Sequence, residues 1–571
     1  SGPNCKSKSI TAARDHLRRP SFRMGAHVAD LVILNGKVIT FAGKDAEALA
    51  ITNGKITAVG TTAEIREIAG TAKMIDAQGN SVLPGFIDSH VHLFQGSAEL
   101  DYLDLYGVSG VEELTSAIRP YAASRPDDKL LFASAIDYHL VEGRTPTRHD
   151  LDAACSDRPF AAMTSDHHTV YANTKALELA GLLQGRAVDE GSQVVMGADG
   201  TATGELLEAA AFGPVLAMTT LGGREMLGMT TGANPTPTPS ASERSTDKDI
   251  IAKGLKHCAS HGITSLHNMD GNFYQLEMLS ELEEDGRLLC RTEVPMHLKH
   301  TDPIDRLKEA TEMRAQYKGD KVWCGRVKMF MDGVVDSRTA YMLNSYPDTD
   351  SCSAPLFAPD HFNEVCLQAD ADHLQISVHA IGDAAIRQTL DGYEAAQQAN
   401  GTRDSRHRIE HLEFMNPSDI PRLKQLGVVA SIQPLHSPRG GFFPHYEPGG
   451  VIHAWQIEQA FAWKAIRDSG AKVIFSTDWP VVPVDVMPTI QGAVAGVDLP
   501  KAWVDNRQGL RETLRSYTAD NAWVEFNEHR KGTLAVGMMA DVVVMDADLE
   551  ATDPTKLGQT CAAVTICGGR I

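Results

Sequence analysis

Eight short apolar runs, each with the character of a buried strand, alternate with helical stretches over most of this chain. The runs are LPGFIDSHVH (83–92), GITSLHNM (262–269), RTEVPMHL (291–298), RVKMFMDG (326–333), QISVHAIG (375–382), RHRIEHLE (406–413), GVVASIQP (427–434) and KVIFSTDWP (472–480). This alternation is typical of a parallel sheet built from βα units. Eight units predict an α/β protein with a closed (β/α)8 barrel, a TIM barrel, rather than an open sheet.

The connection between the first two runs is too long for a loop, at about 170 residues. It contains two further strand-like runs, LLFASAID and PFAAMTSD, followed by the Gly-, Thr- and Pro-rich tract TTGANPTPTPSASERSTD. The tract is typical of a solvated connection. We therefore predict a barrel over 83–524 that carries an insertion subdomain at 100–245, after the first barrel strand.

Both ends of the chain carry short β runs. ADLVILNGKVITF and ALAITNGKITAVG lie near the start, and ADVVVMD and AAVTICGGRI lie near the end. Chain ends often lie close together, so these runs are predicted to share one small sheet, with two unrelated hairpins as the alternative. Residues 1–25 are basic and poor in acids, and are interpreted as a leader or tag-like segment outside the fold.

Composition limits the partners and the compartment. The 571 residues include 74 acids against 53 bases, a net charge of −21, which disfavours nucleic acid and anionic membrane partners. No apolar stretch is long enough to predict a membrane span. The nine cysteines form no CxxC pair, which indicates reduced thiols and predicts a cytoplasmic protein.

His90 and His92 are two residues apart at the end of the first run. Alternate residues of a strand face the same way, so both imidazoles are expected to point into one cavity at the barrel mouth, where catalytic groups gather. Such a pair alone is explained equally well by two surface or hydrogen-bonded histidines.

Four later runs each carry one polar residue that stands out: Lys328, His379, His411 and Asp478. An uncompensated buried charge costs several kcal/mol, at the order-of-magnitude level, and metal binding would supply the compensation. The four histidines and the aspartate form a nitrogen and oxygen donor set that suits zinc or another first-row divalent ion.

Taken in order, several longer motifs resemble the amidohydrolase superfamily, and within it the YtcJ-like branch that includes N-substituted formamide deformylase. They are VLPGFIDSHVH, DHHTVYANTKAL, VKMFMDGVVDSRTA, HAIGD, IEH, STDWPV and KGTLAVGMMADVVVMD. The resemblance extends from about Ala29 to the C terminus. It implies a (β/α)8 barrel plus a β-sandwich domain formed by 26–82 and 525–571, with metal ligands at His90, His92, His379, His411 and Asp478.

The resemblance also implies a role for Lys328. In members with two metals the corresponding lysine is carboxylated and bridges two ions about 3.5–4 Å apart. The alternative is an unmodified lysine beside a single ion, because the amine must lose its proton before it reacts with carbon dioxide.

The expected activity is hydrolysis of a non-peptide C–N bond, an amide or N-formyl group, on a small organic molecule by metal-activated water. Asp478 would bind metal and pass the proton of the attacking water to the leaving nitrogen. A mononuclear aminopurine-type deaminase and a metal-dependent lyase or decarboxylase are the rival activities. A non-catalytic binding protein is disfavoured because the full ligand set is present.

Four further residues have both a functional and a structural interpretation. His168 matches the branch motif and is predicted to be a catalytic or substrate contact, or else a histidine at a helix entry. Asp332, Arg338 and Trp479 are predicted to bind substrate. The structural alternatives are a turn for Asp332, a solvated position for Arg338 and packing at the barrel rim for Trp479. The segment 437–450 has the composition of a lid or of an ordinary loop. A homodimer is common in the superfamily.

Overall fold

The computed structural model describes residues 29–188, 192–444, 446 and 450–571, so the predicted leader at 1–25 lies outside the described residues. The N-terminal region consists mainly of strands. Its elements are β1 (Leu31–Leu34), β2 (Lys37–Val38), β3 (Ala48–Thr52), β4 (Lys55–Gly60), α1 (Thr62–Ile68), β5 (Lys73–Asp76) and β6 (Ser81–Pro84). One sheet of this region has the order β4-β3-β1-β5.

After β7 (Phe86–Val91) and α2 (Leu93–Glu99), the chain builds a separate sheet with flanking helices. Its elements are β8 (Leu103–Asp104), α3 (Gly110–Ser124), β9 (Leu131–Ile136), α4 (Arg148–Ala154), β10 (Phe160–Thr164), β11 (Thr169–Ala172), α5 (Thr174–Ala180), β12 (Gln193–Met196), β13 (Ala202–Leu207), α6 (Ala209–Leu216) and α7 (Leu227–Thr230). The six strands have the order β12-β13-β11-β10-β9-β8. Both runs predicted within the insertion, at β9 and β10, are strands of this sheet.

The rest of the central region alternates strands with helices. Its elements are α8 (Ala241–Ser260), β14 (Ile263–Asn268), α9 (Phe273–Glu284), β15 (Arg291–Glu293), β16 (Met296–His297), α10 (Leu307–Gln316), β17 (Val322–Trp323), β18 (Arg326–Phe330), α11 (Pro359–Ala371), β19 (Gln375–Ala380), α12 (Asp383–Asn400), β20 (Arg408–His411), α13 (Ile420–Leu426), β21 (Val429–Ile432), α14 (Trp463–Asp468), β22 (Val473–Phe475) and α15 (Val486–Val494). This is a TIM-barrel-type α/β fold.

The strands of the eight predicted runs pair in parallel, in chain order. β7 pairs with β14 and β14 with β15, while β16 begins a second series through β18, β19, β20, β21 and β22. The third run supplies both β15 and β16, so it joins the two series. The eighth run returns to the first, because the Asp478 amide donates to the His90 carbonyl oxygen at 2.9 Å and the His92 amide donates to the Trp479 carbonyl oxygen at 2.8 Å.

The last elements bring the two ends of the chain together. They are α16 (Leu510–Ser516), α17 (Ala519–Val524), β23 (Val542–Met545) and β24 (Ala562–Ile566). β23 and β24 extend a sheet with the order β2-β6-β23-β24. One apolar cluster contains side chains from this sheet and from the first, among them Ile33, Leu49, Val82 and Val544. The two unrelated hairpins considered from the sequence are therefore not what forms.

Two predicted boundaries need correction. The tract predicted as a solvated connection to Asp247 ends at Ser240, and the insertion limit at residue 245 falls inside α8. The reason is a capping box, in which Ser240 and Glu243 satisfy each other's backbone amides and start the helix. The sandwich limit at residue 82 likewise cuts β6, which extends to Pro84. No helix in the described part of the chain is both long and apolar enough to cross a bilayer.

Candidate metal centre

The first-strand histidines converge on one carboxylate. His90 and His92 lie at the C-terminal end of β7, and the Nε2 atoms of the two rings are 3.2 and 3.3 Å from Oδ1 of Asp478. The His90 side chain is completely buried and that of His92 nearly so. The alternation of a strand therefore directs both imidazoles to the same carboxylate, as the spacing predicts.

Two of the candidate ligands have a left-handed backbone conformation. His411 ends β20 with φ of 78°, and Asp478 follows β22 with φ of 67°. Such values are unfavourable for residues other than glycine and cost about 1–3 kcal/mol each. The strain accompanies a specific placement, since Nδ1 of His411 lies 3.8 Å from Oδ2 of Asp478. His90, His411 and Asp478 each offer a ligand atom within 4.8 Å of the others.

His379 and Lys328 complete the group. The His379 ring, at the end of β19, lies 4.4 Å from the His411 ring between centroids. Lys328, in the middle of β18, is fully buried and its Nζ lies 3.9 Å from the centroid of the Phe330 ring. Its charge also lowers the pKa of His379, after the larger effect of burial. The structure thus brings together all six residues that were predicted to surround a metal.

Neighbouring side chains orient the histidines through their second ring nitrogens. Nδ1 of His90 lies 2.8 Å from Oε2 of Glu410, and Nδ1 of His92 lies 2.6 Å from Oδ1 of Asp270. Nδ1 of His411 lies 2.9 Å from Oε1 of Gln433. Carboxylate and amide partners of this kind fix the tautomer and direction of metal-binding histidines. The motifs did not single out these partners, although each follows or ends a barrel strand.

Several buried polar atoms here have no hydrogen-bond partner. They include Nε2 of His90, Oδ1 of Asp478 and Nζ of Lys328. Burial lowers the pKa of His90 to about 4, against the opposing effect of Asp478. Burial also lowers the pKa of His411 well below its ordinary value, whereas at His92 two carboxylate neighbours outweigh burial and raise the pKa to about 10. Buried imidazole nitrogens and carboxylate oxygens with unused bonding capacity fit a divalent cation.

The insertion contributes a histidine near this centre. His168 precedes β11, and its Nδ1 lies 2.9 Å from Oε1 of Glu208. Its positive charge contributes to the lowered pKa of His379, after burial and Lys328. Burial opposes protonation of His168, but Glu208 outweighs it and raises the pKa to about 9. The preceding His167 has φ of 64°, a conformation that favours glycine.

The three predicted substrate-binding residues other than His168 have partners within the protein. The Asp332 carboxylate accepts hydrogen bonds from the backbone amides of Tyr341, Ile381 and Gly382, so it closes a turn. Arg338 forms a two-pronged ion pair with the half-exposed Asp348. The contact of Arg338 matches its structural interpretation, whereas Asp332 also lies 3.8 Å from Nε2 of His379, a candidate ligand.

Trp479 packs into the barrel wall. Its ring lies so close to Gly96 of α2 that a Cβ there would approach it to 2.8 Å, and only 4% of the residue is exposed. This placement corresponds to rim packing rather than to a substrate contact, because helix α2 covers the ring.

His436 is a further residue of the site. It follows β21, its Nε2 lies 3.7 Å from Oδ2 of Asp478, and its Nδ1 lies 3.7 Å from Oε1 of Glu413. The His411 and His436 rings are nearly parallel, with centroids 6.0 Å apart. The motifs overlooked His436 because it lies beyond the strand. Its position at the C-terminal end of a barrel strand was the available signal.

Comparison with known proteins agrees with this geometry. The model of the amidohydrolase family matches residues 73–571. The chain belongs to the amidohydrolase family and is a hydrolase, which confirms the class predicted from its motifs.

The putative amidohydrolase YtcJ of Bacillus subtilis is 25% identical, over 93% of this chain and 96% of that protein. N-substituted formamide deformylase of Arthrobacter pascens is 24% identical, over 91% of this chain and 94% of that protein. An uncharacterized metal-dependent hydrolase from Pyrococcus furiosus has a crystal structure that is similar with a TM-score of 0.68, at 26% identity, over 92% of this chain and all of that one.

Proposed function

We propose that the protein hydrolyses an amide or N-formyl C–N bond of a small organic molecule with metal-activated water. The observation that carries the proposal is the buried group of His90, His411 and Asp478, whose ligand atoms lie within 4.8 Å of one another and include unpartnered polar atoms. The named activity of the Arthrobacter pascens relative, deformylation of N-substituted formamides, supports the choice of bond.

We assign two divalent ions, preferably zinc, to the centre. His90, His92 and Asp478 would hold one, and His379 and His411 would hold the other. Burial, the largest influence on Lys328, lowers its pKa to about 8, so an appreciable share of the amine is neutral near pH 7. The neutral nitrogen could then add to carbon dioxide and lose a proton, and the resulting carbamate would offer oxygen ligands to the ions. A bound divalent cation lowers the pKa of water to about 7 and polarises a carbonyl oxygen.

The protein's own residues would move the proton and hold the substrate. Asp478 has a pKa well below its ordinary value because the surrounding histidines outweigh the effect of burial, so it is ionised and can accept the proton of the attacking water. The same carboxyl then gives that proton to the leaving nitrogen. His168, protonated by its pairing with Glu208, would donate a hydrogen bond to the substrate.

The architecture belongs to the same proposal. The eight runs would close as a (β/α)8 barrel over 83–524, the insertion would cover its mouth, and both termini would form the β-sandwich. Eight of the nine cysteines are described and none of these is in a disulfide, which supports a cytoplasmic location. A homodimer and the absence of nucleic acid and membrane partners stay predictions.

The test is a hydrolysis screen with the full chain, stripped of metal and then reconstituted with zinc. The substrates are N-formyl amines, N-acyl compounds, carbamates, aminopurines and carboxylic acids. Release of formate or carboxylate with an amine is the expected result. Ammonia release from aminopurines alone would establish the deaminase, and carbon dioxide release without hydrolysis would establish the lyase. Because N-substituted formamides are the expected substrates, no hydrolysis of any N-formyl or N-acyl compound would contradict the proposal.

A further inference from the structure

Two histidines lie one helical turn apart at the C-terminal end of α8. His257 is in the last turn and His261 is the residue that ends the helix, so both side chains project from the same face. Their ring centroids are 4.9 Å apart and the ring planes are inclined by 80°. Bonds of about 2.0–2.1 Å from a tetrahedral zinc ion to two imidazoles would place the ring centroids about 5 Å apart. The spacing of four residues along a helix is also the one with which helical histidine pairs hold zinc.

A carboxylate from a second helix faces this pair. Asp485 precedes α15, and its Oδ1 lies 3.8 Å from Nδ1 of His261. This distance is too long for a hydrogen bond, but an ion with bonds of about 2.0–2.2 Å to each atom could bridge it. The position of the carboxylate is fixed, because Oδ1 also accepts a hydrogen bond from the Met487 amide at 3.0 Å and caps α15.

The electrostatics of the pair also suit a cation. Within the described ranges, the ring nitrogens of His257 and His261 form no hydrogen bond, and the His257 ring contacts the Trp479 ring at 5.7 Å between centroids. Burial, followed by the charge of His261, lowers the pKa of His257, so this imidazole keeps a lone pair at pH 7. The end of α8 adds the partial negative charge of its last carbonyl groups, which favours a positive ion.

We propose that His257, His261 and Asp485 form a further binding site for a divalent first-row ion, with zinc as the expected occupant. Two imidazoles and one carboxylate are donors that zinc prefers, and they leave a fourth position for water. The bound ion would tie the end of α8 to the start of α15 and so act as a structural clasp. The site shares no residue with the candidate metal centre, so the inference does not depend on the proposed hydrolysis.

The test counts zinc ions per chain after equilibrium dialysis of the full chain against zinc chloride. The wild type should bind one ion more than His261→Gln or His257→Gln, whatever the number of ions in the candidate metal centre. Asp485→Asn should weaken binding of that ion by more than about 10- to 100-fold, the loss that follows even from removing a hydrogen-bond partner of a ligand. His149→Gln is the matched control, because His149 lies 3.9 Å from Asp152 and has an alanine four residues further on.

Thermal unfolding is the second measurement, and it needs no ion count. Zinc added beyond the content of the candidate metal centre should raise the Tm of the wild type and of His149→Gln, but not that of His261→Gln. Three results would overturn the inference. The first is equal zinc content and equal Tm in the wild type and His261→Gln. The second is unchanged zinc affinity in Asp485→Asn, since the ion would then not join the two helices. The third is the loss of an ion in His149→Gln, which would indicate unspecific binding by surface histidines.

Discussion

Two groups of buried polar side chains occupy the same barrel and differ in how they are satisfied. The lower group consists of three pairs in which each charge has an opposite charge within reach. Arg326 lies 3.0 Å from Glu293, Arg408 lies 2.7 Å from Glu410, and Lys531 lies 2.7 Å from Glu525. The upper group, the candidate metal centre, leaves Nζ of Lys328 with neither a hydrogen bond nor an ion pair among the described residues.

This difference teaches that burial of a charge does not by itself identify a ligand. The lower group shows that a barrel can bury arginine, glutamate and lysine and satisfy them with one another. What marks the upper group is unused bonding capacity on a buried imidazole nitrogen, a carboxylate oxygen and an amine. Buried charges that pair with one another therefore stabilise the fold, whereas buried groups without a partner indicate a binding site. The two groups should respond differently to mutation.

The largest expected effect is on turnover in the upper group. Asp478→Asn removes the group that accepts and returns the proton, so kcat should fall by about 10²–10⁴-fold. The fold should persist, because none of the charges of the lower group pairs with Asp478. Steady-state rates and circular dichroism check both points, and a variant with a near-wild-type rate would show that Asp478 is not the base.

The same substitution at two buried lysines gives the sharpest comparison of stability. Lys531→Met removes the ammonium that pairs with Glu525, which keeps only the His267 ring at 3.0 Å, and should destabilise the metal-free protein by about 3–5 kcal/mol. Lys328→Met removes an unpaired buried amine and should leave the metal-free protein equally or more stable, while it abolishes binding of the second ion. Thermal unfolding and metal analysis of both variants test this. Equal destabilisation would erase the distinction between the two groups.

Glu410 belongs to both groups, because its Oε2 faces His90 while its carboxylate pairs with Arg408. Glu410→Gln should weaken metal affinity by about 10- to 100-fold through the loss of orientation at His90. Glu293→Gln is the matched control, since Glu293 pairs with Arg326 instead. Competition with a chelator measures the affinities. If both variants bind metal equally well, Glu410 does not position His90.

The smallest expected effect is a dependence of stability on pH. The folded-state pKa of Lys328 is about 8, below the value of about 10.4 for an exposed lysine. Between these two values the unfolded chain binds more protons, so the metal-free protein should gain stability as the pH rises from about 8 to about 10. Lys328→Met should lack this contribution, and unfolding curves at pH 8 and pH 10 compare the two proteins. If the stability of wild type and variant rises equally between pH 8 and pH 10, a group other than Lys328 is responsible.

Much of this arrangement was predictable from the sequence. The eight runs gave the order of the barrel strands because parallel pairing follows chain order, and the spacing of His90 and His92 gave a common direction for their side chains. The insertion was predicted from the length of the connection alone. The Ser240 and Glu243 capping box was legible in the sequence but was overlooked within a tract rich in proline and threonine.

The remaining features depend on contacts that no local pattern encodes. Trp479 directly follows a candidate ligand, yet its ring packs against Gly96 of helix α2, where there is no side chain. His436 reaches the centre from beyond a strand, and Glu410 resembles any polar residue of a buried strand until its distance to His90 is known. Only the assembled fold brings such residues together.

The central claim is that the upper group holds a divalent cation, and anomalous diffraction at the zinc edge from crystals of the zinc-loaded protein tests it most directly. The account predicts strong anomalous density bonded to His90, His92 and Asp478, with a second peak beside His379 and His411 and a carbamate on Lys328. Zinc density elsewhere in the molecule, with these side chains bonded only to one another or to water, would contradict it.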